Sequence, residues 1–242
     1  MDHLSTLLSE AITSQRAPFV VGMLATSKGT CWTGASNESI AGVELNGTTV
    51  FRIVSMSKAI AAAAAALLAE RGKLDWDTPA EQVLPEFGEL QVLDSGTDDP
   101  LRMRPARTKA TLRQLATHTS GLVYSYWDAD IARYLHETGL PPVASGLRAS
   151  LRCPLAFDPG ARWHYGSGVD WLGLAVEAID GRRINRFCQE EIFDPLGMND
   201  THFELEKDMM GRIPPAFGRT EDGGFSEAPF NVDLLCIQGG PR

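Results

Sequence analysis

The feature that most constrains the fold is a continuous apolar run over residues 59–68, in which alanine dominates. Alanine has the highest intrinsic helix propensity, so the run predicts a helix that begins near Ser55 and ends around Gly72. Because the run is apolar on every face, we expect the helix to be buried between layers, with its start enclosed. It is far shorter than the roughly 20 residues that span a bilayer, which predicts a core helix and no membrane segment.

Hydrophobic periodicity places further elements on both sides of this helix. Three strand candidates precede it, at residues 19–25, 30–34 and 48–54. An amphipathic opening helix is predicted at 4–12, and later helices are predicted at 111–117, 131–137, 169–179 and 185–193. Polar, proline-containing connectors at 94–109 and 138–160 separate these modules.

The composition bounds the class of protein. With 242 residues, 43% of them hydrophobic, the chain can bury a core as one large domain or two small ones. A net charge of −9 and a pI near 5.0, without a run of lysine and arginine, disfavour nucleic acid as a partner. The start of the chain lacks the basic and apolar regions of a secretory signal, which predicts a cytoplasmic location.

Neither a metal nor a cofactor is predicted. The histidines are scattered without an H-E-x-x-H motif, and neither a P-loop nor a G-x-G-x-x-G is present. No serine has glycine two residues away on both sides, which argues against a Ser-His-Asp hydrolase of the G-x-S-x-G type. The cysteines are far apart and form no C-x-x-C pair, so we interpret them as small core residues: Cys31, Cys153, Cys188 and Cys236.

A candidate nucleophile lies at the start of the alanine-rich helix, in the sequence Ser55-Met-Ser-Lys58. Residues three apart on a helix share a face, so the Lys58 amine can reach the Ser55 hydroxyl. The unpaired N–H groups and the dipole at a helix start favour negative charge on oxygen and disfavour a protonated lysine. The pair therefore suits a nucleophile and its general base.

The spacing of this pair is weak evidence by itself. With 15 serines and 5 lysines in 242 residues, chance supplies such a pair about 0.3 times. A simpler interpretation is that Ser55 or Ser57 caps the helix and Lys58 is a solvated residue of the first turn. Against it, a lysine in the first turn opposes the helix dipole, and stability does not explain that cost.

Three further segments follow in order: Thr111-Leu-Arg-Gln-Leu-Ala-Thr-His-Thr-Ser-Gly-Leu122, Phe157-Asp-Pro-Gly-Ala-Arg-Trp-His-Tyr-Gly-Ser167 and Ile192-Phe-Asp-Pro-Leu-Gly-Met198. With the Ser55 motif, they resemble the signatures of the serine β-lactamase-like superfamily of class C β-lactamases, D-alanyl-D-alanine peptidases, esterases and fungal acyltransferases. The resemblance covers residues 51–203. It implies an α+β fold, sandwich-like, with a helical region packed on an antiparallel β-sheet, in one domain over residues 1–242.

By this resemblance, the second catalytic signature falls on Tyr165, whose phenol could relay the proton of the nucleophile. Without the resemblance, Trp163, Tyr165 and Trp171 would be interpreted as one aromatic cluster in the core. Penicillin-directed members have Tyr-x-Asn where this chain has Tyr165-Gly-Ser167, so the amide that could hold a β-lactam side chain is absent. The sequence is more similar to the fungal polyketide transesterases and the carboxylesterases, which implies esters or thioesters as substrates.

The segment His118-Thr-Ser-Gly121 contains histidine and serine, but adjacent residues of a tight turn cannot easily form a proton relay. The superfamily uses this segment as scaffold, so we predict turn formation and capping. Tyr124, just beyond it, resembles a pocket-lining tyrosine of the transesterases and is predicted to contact the substrate.

The third signature of the superfamily, a Lys- or His-containing triad ending in Gly or a Trp-Gly-Gly variant, is not found in this sequence. In the family it lies on a C-terminal strand that supplies one of two oxyanion donors, and losing one donor costs roughly a hundred- to a thousand-fold in rate. We therefore expect a fold that is incomplete at the C-terminus. Either the chain is a fragment of an active enzyme, or it is a non-catalytic protein that retains an acyl-binding scaffold.

The sequence thus predicts a serine esterase or acyltransferase that forms an acyl-enzyme on Ser55, with Lys58 and Tyr165 as proton carriers and Tyr124 against the substrate. The expected partner is a small-molecule ester or acyl thioester, and an acyl-carrier domain is a conceivable donor. The alternatives are a catalytically impaired scaffold and a β-lactamase or D-Ala-D-Ala peptidase.

Overall fold

The computed structural model describes residues 3–94 and 101–228. The described residues divide into two units, one over 3–52 and 204–228 and the other over 53–94 and 101–203. The named strands of the described residues form four separate two-stranded sheets, each of them antiparallel. The predicted mixture of helices and antiparallel strands is therefore present, whereas a larger sheet is not formed by these residues.

The first unit consists of a helix and three hairpins within its described residues. Its elements are α1 (His3–Thr13), β1 (Val21–Thr26), β2 (Gly29–Ala35), β3 (Ser39–Ile40), β4 (Val43–Glu44), a 3₁₀ segment (Lys207–Arg212), β7 (Phe217–Arg219) and β8 (Phe225–Glu227). Helix α1 packs on β2. The turn between β1 and β2 ends at Gly29, whose φ of +120° only glycine adopts readily. The predicted opening helix and first two strands are confirmed.

The predicted third strand, residues 48–54, is wrong. These residues form no strand. The Val50 N–H donates a hydrogen bond to the Arg212 carbonyl at 2.9 Å. The β-branched composition favoured a strand, but strand formation depends on a paired neighbour more than on composition. Val54 also has a φ of +45°, which no strand residue adopts.

The second unit is mostly helical. Its elements are α2 (Ser57–Glu70), α3 (Ala80–Val83), β5 (Val92–Leu93), β6 (Met103–Arg104), α4 (Leu112–Ala116), α5 (Ala129–Thr138), α6 (Gly168–Asp180), α7 (Ile184–Cys188) and α8 (Asp194–Leu196), with a π-helical turn at Gln189–Phe193. The helices predicted from periodicity are therefore confirmed, the last one being interrupted by the π turn. Part of the predicted connector at 94–109 lies outside the described residues.

Packing of α2 and α4 against α6 forms the core of this unit, and α7 contacts both α2 and α6. Its fully buried large side chains include Leu68, Leu112, Leu115, Leu172, Phe187 and Phe193. Helix α4 begins with a capping box, in which the Thr111 hydroxyl accepts from the Gln114 N–H and the Gln114 side chain accepts from the Thr111 N–H.

Helix α2 is buried on one face only. The buried residues are Ala61, Ala64, Ala65 and Leu68, and the exposed ones include Ala59, Ala63 and Ala66; Ser55, in the turn before the helix, is exposed as well. The prediction of burial on every face, with an enclosed start, is therefore wrong for the described residues. Composition had indicated an apolar helix, but α6 and α7 pack against a single side of it.

The cysteines are of two kinds. Cys153 and Cys188 are buried, and burial raises the pKa of both thiols to about 12, as expected for small core residues. The same interpretation of Cys31 is wrong, since this residue is exposed on the two-stranded β1–β2 sheet. Cys236 lies outside the described residues.

Candidate active site

The chain enters α2 through a strained turn. Val54 has a φ of +45°, in the left-handed region that β-branched residues rarely adopt. A 3₁₀ turn, Val54–Met56, then leads into α2 at Ser57. Strain of this kind costs of order 1–3 kcal/mol and is found most often at functional sites.

Neither serine of the motif caps α2. Met56 occupies the N-cap position and makes no side-chain cap hydrogen bond. The Ser57 hydroxyl donates to the Val54 carbonyl at 2.6 Å and so closes the turn. The interpretation of Ser55 or Ser57 as a helix cap is therefore not supported.

The Lys58 amine lies beside the Ser55 hydroxyl. Lys58 Nζ is 3.3 Å from Ser55 Oγ, within hydrogen-bond distance. Ser55 is exposed and Lys58 is half-buried, so an incoming carbonyl can approach the hydroxyl. The helical spacing thus produces the contact that a nucleophile and its base require.

Two tyrosines enclose the Lys58 amine. Its Nζ lies 5.2 Å from the ring centroid of Tyr165 and 5.6 Å from that of Tyr124. Both distances are within the range of cation–π attraction. The two rings are 5.4 Å apart in an edge-to-face arrangement, and the Tyr124 N–H donates to the Tyr165 carbonyl at 3.4 Å. The four residues predicted from sequence therefore meet around one amine.

Close backbone packing holds Tyr165 in place. A Cβ on Gly166 would overlap the Leu122 carbonyl oxygen, so only glycine fits there. Gly121 has a φ of +95°, and a Cβ on it would overlap the Phe157 carbonyl oxygen. The two sequence segments that resemble the superfamily are thus interlocked backbone to backbone, as a scaffold requires.

His118 belongs to this scaffold and also contacts the candidate site. Its ring centroid lies 4.5 Å from that of Tyr165, and its Nδ1 accepts from the Gly166 N–H at 3.3 Å. Burial lowers the pKa of His118, and the positive charge of Lys58 lowers it further. The sequence indicated the scaffold role of this turn but not the ring contact, because the contact depends on how two distant segments pack.

An aromatic wall, defined as Tyr124, Tyr126 and Trp127, continues from the enclosed amine to the surface. Tyr124 stacks on Tyr126 with 5.1 Å between centroids, and Trp127 lies 5.4 Å from Tyr165. Tyr126 and Trp127 are 62% and 56% exposed. Exposed aromatic surface that begins beside the Lys58 amine suits an apolar group of a ligand.

The other tryptophans are not part of one cluster with Tyr165. Trp163 is 64% exposed, whereas Trp171 is buried and meets Phe87 edge-to-face at 5.0 Å. The alternative interpretation of Trp163, Tyr165 and Trp171 as a single core cluster is therefore wrong. The three side chains leave the same segment in different directions, which sequence spacing does not reveal.

Asp170 is a charged residue of the site that sequence reasoning missed. It lies in the first turn of α6, and its Oδ2 is buried without a hydrogen-bond partner. Burial raises the pKa of Asp170 to about 6, and the positive charge of Lys58 opposes that rise. Its negative charge adds to the effect of burial in raising the pKa values of Tyr124 and Tyr126. An acidic residue soon after the Tyr165 motif was the available signal.

The described residues contain no group of three or more His, Cys, Asp or Glu side chains that could hold a metal ion. No helix within residues 3–94 and 101–228 is long and apolar enough to cross a membrane.

Comparison with known proteins identifies the family. The beta-lactamase family model matches residues 21–225, which include all the site residues described above. The chain therefore belongs to the beta-lactamase family. The resemblance inferred from the four sequence segments is confirmed.

The curated proteins similar to this chain include fungal acyltransferases and a fungal esterase. The chain is 37% identical over 169 residues to monacolin J acid methylbutanoyltransferase of Aspergillus terreus, covering 68% of this chain and 41% of that protein. It is 35% identical over 191 residues to lovastatin esterase of Penicillium rubens, covering 74% of this chain and 48% of that protein. The chain thus spans less than half the length of these relatives.

Solved structures share the fold. Simvastatin synthase from Aspergillus terreus, in its LovD6 mutant form, superposes with a TM-score of 0.80 at 29% identity, covering 98% of this chain and 62% of that one. EstCE1, a hydrolase with promiscuous acyltransferase activity, superposes with a TM-score of 0.75 at 21% identity, covering 93% and 58%. The latter likeness shows the fold alone. The predicted β-lactamase-like α+β fold is confirmed, and this chain corresponds to only part of each structure.

Proposed function

We propose that this chain carries the acylation machinery of a serine acyltransferase or esterase, with Ser55 as the nucleophile. The observation that carries the proposal is the 3.3 Å separation of Lys58 Nζ and Ser55 Oγ at the start of α2. The similarity to a methylbutanoyltransferase and to an esterase supports the same chemistry. The strained backbone at Val54 is a further feature typical of a functional site.

In the acylation step, Ser55 Oγ attacks the carbonyl carbon of an ester or thioester while its proton passes to Lys58 Nζ. The carbonyl electron pair moves to oxygen, which gives a tetrahedral oxyanion. Collapse of this oxyanion breaks the bond to the leaving alcohol or thiol, which takes the proton from Lys58 directly or through the Tyr165 phenol. The product is an ester on Ser55.

In the second step, water or an alcohol attacks the Ser55 ester, and Lys58 and Tyr165 transfer the protons in reverse order. Hydrolysis and acyl transfer differ only in this acceptor. The exposed aromatic wall, with Tyr126 and Trp127 at the surface, suits an apolar acyl donor or acceptor. A thioester of a short branched acyl group is the first donor to test, and the same group on an acyl-carrier domain is the second.

The experiment is covalent labelling with a fluorophosphonate, followed by intact mass and peptide mapping. The parent chain is expected to gain one phosphonyl group on Ser55, and Ser55→Ala is expected to gain none. Ser57→Ala is the matched control, because Ser57 lies two residues away and its hydroxyl bonds the Val54 carbonyl. It should retain labelling at Ser55.

The alternative is a scaffold that binds acyl groups without forming the covalent intermediate. Equal labelling of the parent and Ser55→Ala, or no labelling of a folded parent, would support that alternative and contradict the proposal. Labelling at Ser55 without turnover of a nitrophenyl butyrate would assign acylation to this chain and leave deacylation to residues outside it.

A further inference from the structure

Asp170 is the strongest feature that the proposed mechanism does not yet use. It occupies the third position of α6, three residues after the Tyr165-Gly-Ser167 segment. Gly168 begins the helix, and a Cβ on it would overlap the Leu115 carbonyl oxygen, so the first turn of α6 is clamped against α4. Because α2 also packs on α6, the carboxyl and the Lys58 amine are held on facing helices.

Hydrogen bonding satisfies the Asp170 carboxylate only in part, through its own backbone N–H. Its Oδ2 is fully buried and has no hydrogen-bond partner. A buried carboxylate oxygen without a hydrogen-bond partner costs free energy, so helix stability gives no reason to keep it there. An acid in a first helical turn does gain from the helix dipole, but that gain is about 0.3–1 kcal/mol and is equally available to an exposed residue. A stabilising role alone therefore does not account for this position.

Charges around Asp170 point to its partner. Lys58 from α2 is the cation whose charge acts on the carboxyl, and the titratable groups that its own charge affects are Tyr124 and Tyr126. Tyr124 lies against the amine that contacts Ser55, and Tyr126 stacks on Tyr124. The charge of Lys58 also lowers the pKa of His118, whose Nδ1 accepts a hydrogen bond from the Gly166 N–H.

We propose that Asp170 is a positioning residue whose carboxylate is the counter-charge of Lys58, stabilising the ammonium that forms when Ser55 transfers its proton. This inference rests on the proposed function. The step balances within the chain: the Ser55 O–H bond breaks, the proton moves to Lys58 Nζ, and the charge of the Asp170 carboxylate stabilises the new ammonium. When the leaving group takes the proton back, the amine is neutral again and Asp170 remains ionised throughout.

The test compares Asp170→Asn with Glu177→Gln, a matched control on the same helix. Glu177 is half-buried, burial raises the pKa of its carboxyl, and its Oε1 accepts from the Ile184 N–H at 2.8 Å, a bond that glutamine can keep. Rates of phosphonylation at Ser55 are measured from pH 5 to pH 10. In Asp170→Asn the labelling rate on the high-pH plateau should fall about tenfold, because an amine whose ammonium form is less stabilised is a weaker base. The rising limb of the rate profile should move to lower pH, because that amine loses its proton at lower pH. Glu177→Gln should follow the parent curve.

A second readout does not depend on Ser55. In a Ser55→Ala background, arylation of Lys58 by fluorodinitrobenzene at pH 7 is measured by peptide mass spectrometry. Asp170→Asn should react several-fold faster, because less of the amine is held as ammonium, and Asp170→Glu should react as slowly as the parent. If the parent is not phosphonylated at Ser55, the proposed function fails, while faster arylation still supports the Asp170–Lys58 pairing.

The inference is overturned if Asp170→Asn leaves both the pH profile and the arylation rate at parental values. It is also overturned if Glu177→Gln reproduces both effects, since the cause would then be a loosened α6. Thermal unfolding of each variant checks that the folded states are compared. Should Asp170→Asn fail to fold, the arylation of Asp170→Ser and Asp170→Glu decides the same question, because only one of the two keeps the charge.

Discussion

Asp158 and Asp170 are carboxylates of the same unit, and they differ in the hydrogen bonds that their carboxylate oxygens accept. Asp158 accepts from both terminal nitrogens of Arg104 at 2.8 Å and from the Arg107 N–H at 2.8 Å. These hydrogen bonds hold the pKa of Asp158 at about 2. Asp170 Oδ2 is buried without a hydrogen-bond partner, and burial raises the pKa of that carboxyl to about 6.

The difference teaches how a structural ion pair and a candidate functional pair can be told apart. Arg104 and Asp158 form a bidentate pair whose geometry satisfies both partners, which suits a contact that joins two segments of the fold. Lys58 and Asp170 act on each other without such geometry, and Lys58 instead contacts the Ser55 hydroxyl. Groups with strongly perturbed pKa values and unmet bonding capacity are typical of active sites.

The largest expected effect is on the rate of labelling at Ser55, and it distinguishes Lys58 from Arg104. Lys58→Met should lower the rate of phosphonylation at Ser55 about a thousandfold, because a general base contributes roughly 10²–10⁴ in rate. Arg104→Met should leave the labelling rate of the folded protein at the parental value and lower its thermal midpoint, since Asp158 loses its bidentate partner. Labelling kinetics and thermal unfolding of both variants measure this. A large rate loss in Arg104→Met would break the distinction.

A second prediction is that removing the charge of Asp158 and removing that of Asp170 change the free energy of unfolding in opposite directions. At pH 7, Asp158→Asn should lower the free energy of unfolding by about 1–3 kcal/mol, because hydrogen bonds to a charged group are lost. Asp170→Asn should raise it by about 1–2 kcal/mol, because ionising a carboxyl with a raised pKa opposes folding. Urea unfolding at pH 7 measures both. If the two variants changed stability in the same direction, Asp170 would have to be a stabilising residue like Asp158.

Sequence reasoning found much of this architecture because much of it is local. The alanine-rich run predicted α2, apolar periodicity predicted α6, and the spacing of Ser55 and Lys58 predicted a contact that the helix produces. Tyr124 and Tyr165 came from the family resemblance and lie around the same amine.

The rest could not be read from the sequence because it depends on tertiary packing. Asp158 and Asp170 both follow an apolar residue, and nothing local distinguishes the carboxylate that pairs with Arg104 from the one whose Oδ2 has no partner. The expected strand at 48–54 failed for a related reason, since a strand needs a partner that composition does not report. The left-handed Val54 is a third case, because no propensity predicts strain in a β-branched residue.

The smallest expected effects concern the pH dependence of stability. The pKa of Asp158 is lowered from 3.8 to about 2, so its contribution is present above about pH 4 and is lost as the pH falls toward 2. The pKa of Asp170 is raised from 3.8 to about 6, so the folded chain binds more protons than the unfolded chain between these values, and stability declines as the pH rises through them. Unfolding free energies measured from pH 3 to pH 7 should lose the acid-side decline in Asp158→Asn and the decline between pH 4 and pH 6 in Asp170→Asn. Parental slopes in both variants would show that neither carboxyl titrates as its surroundings require.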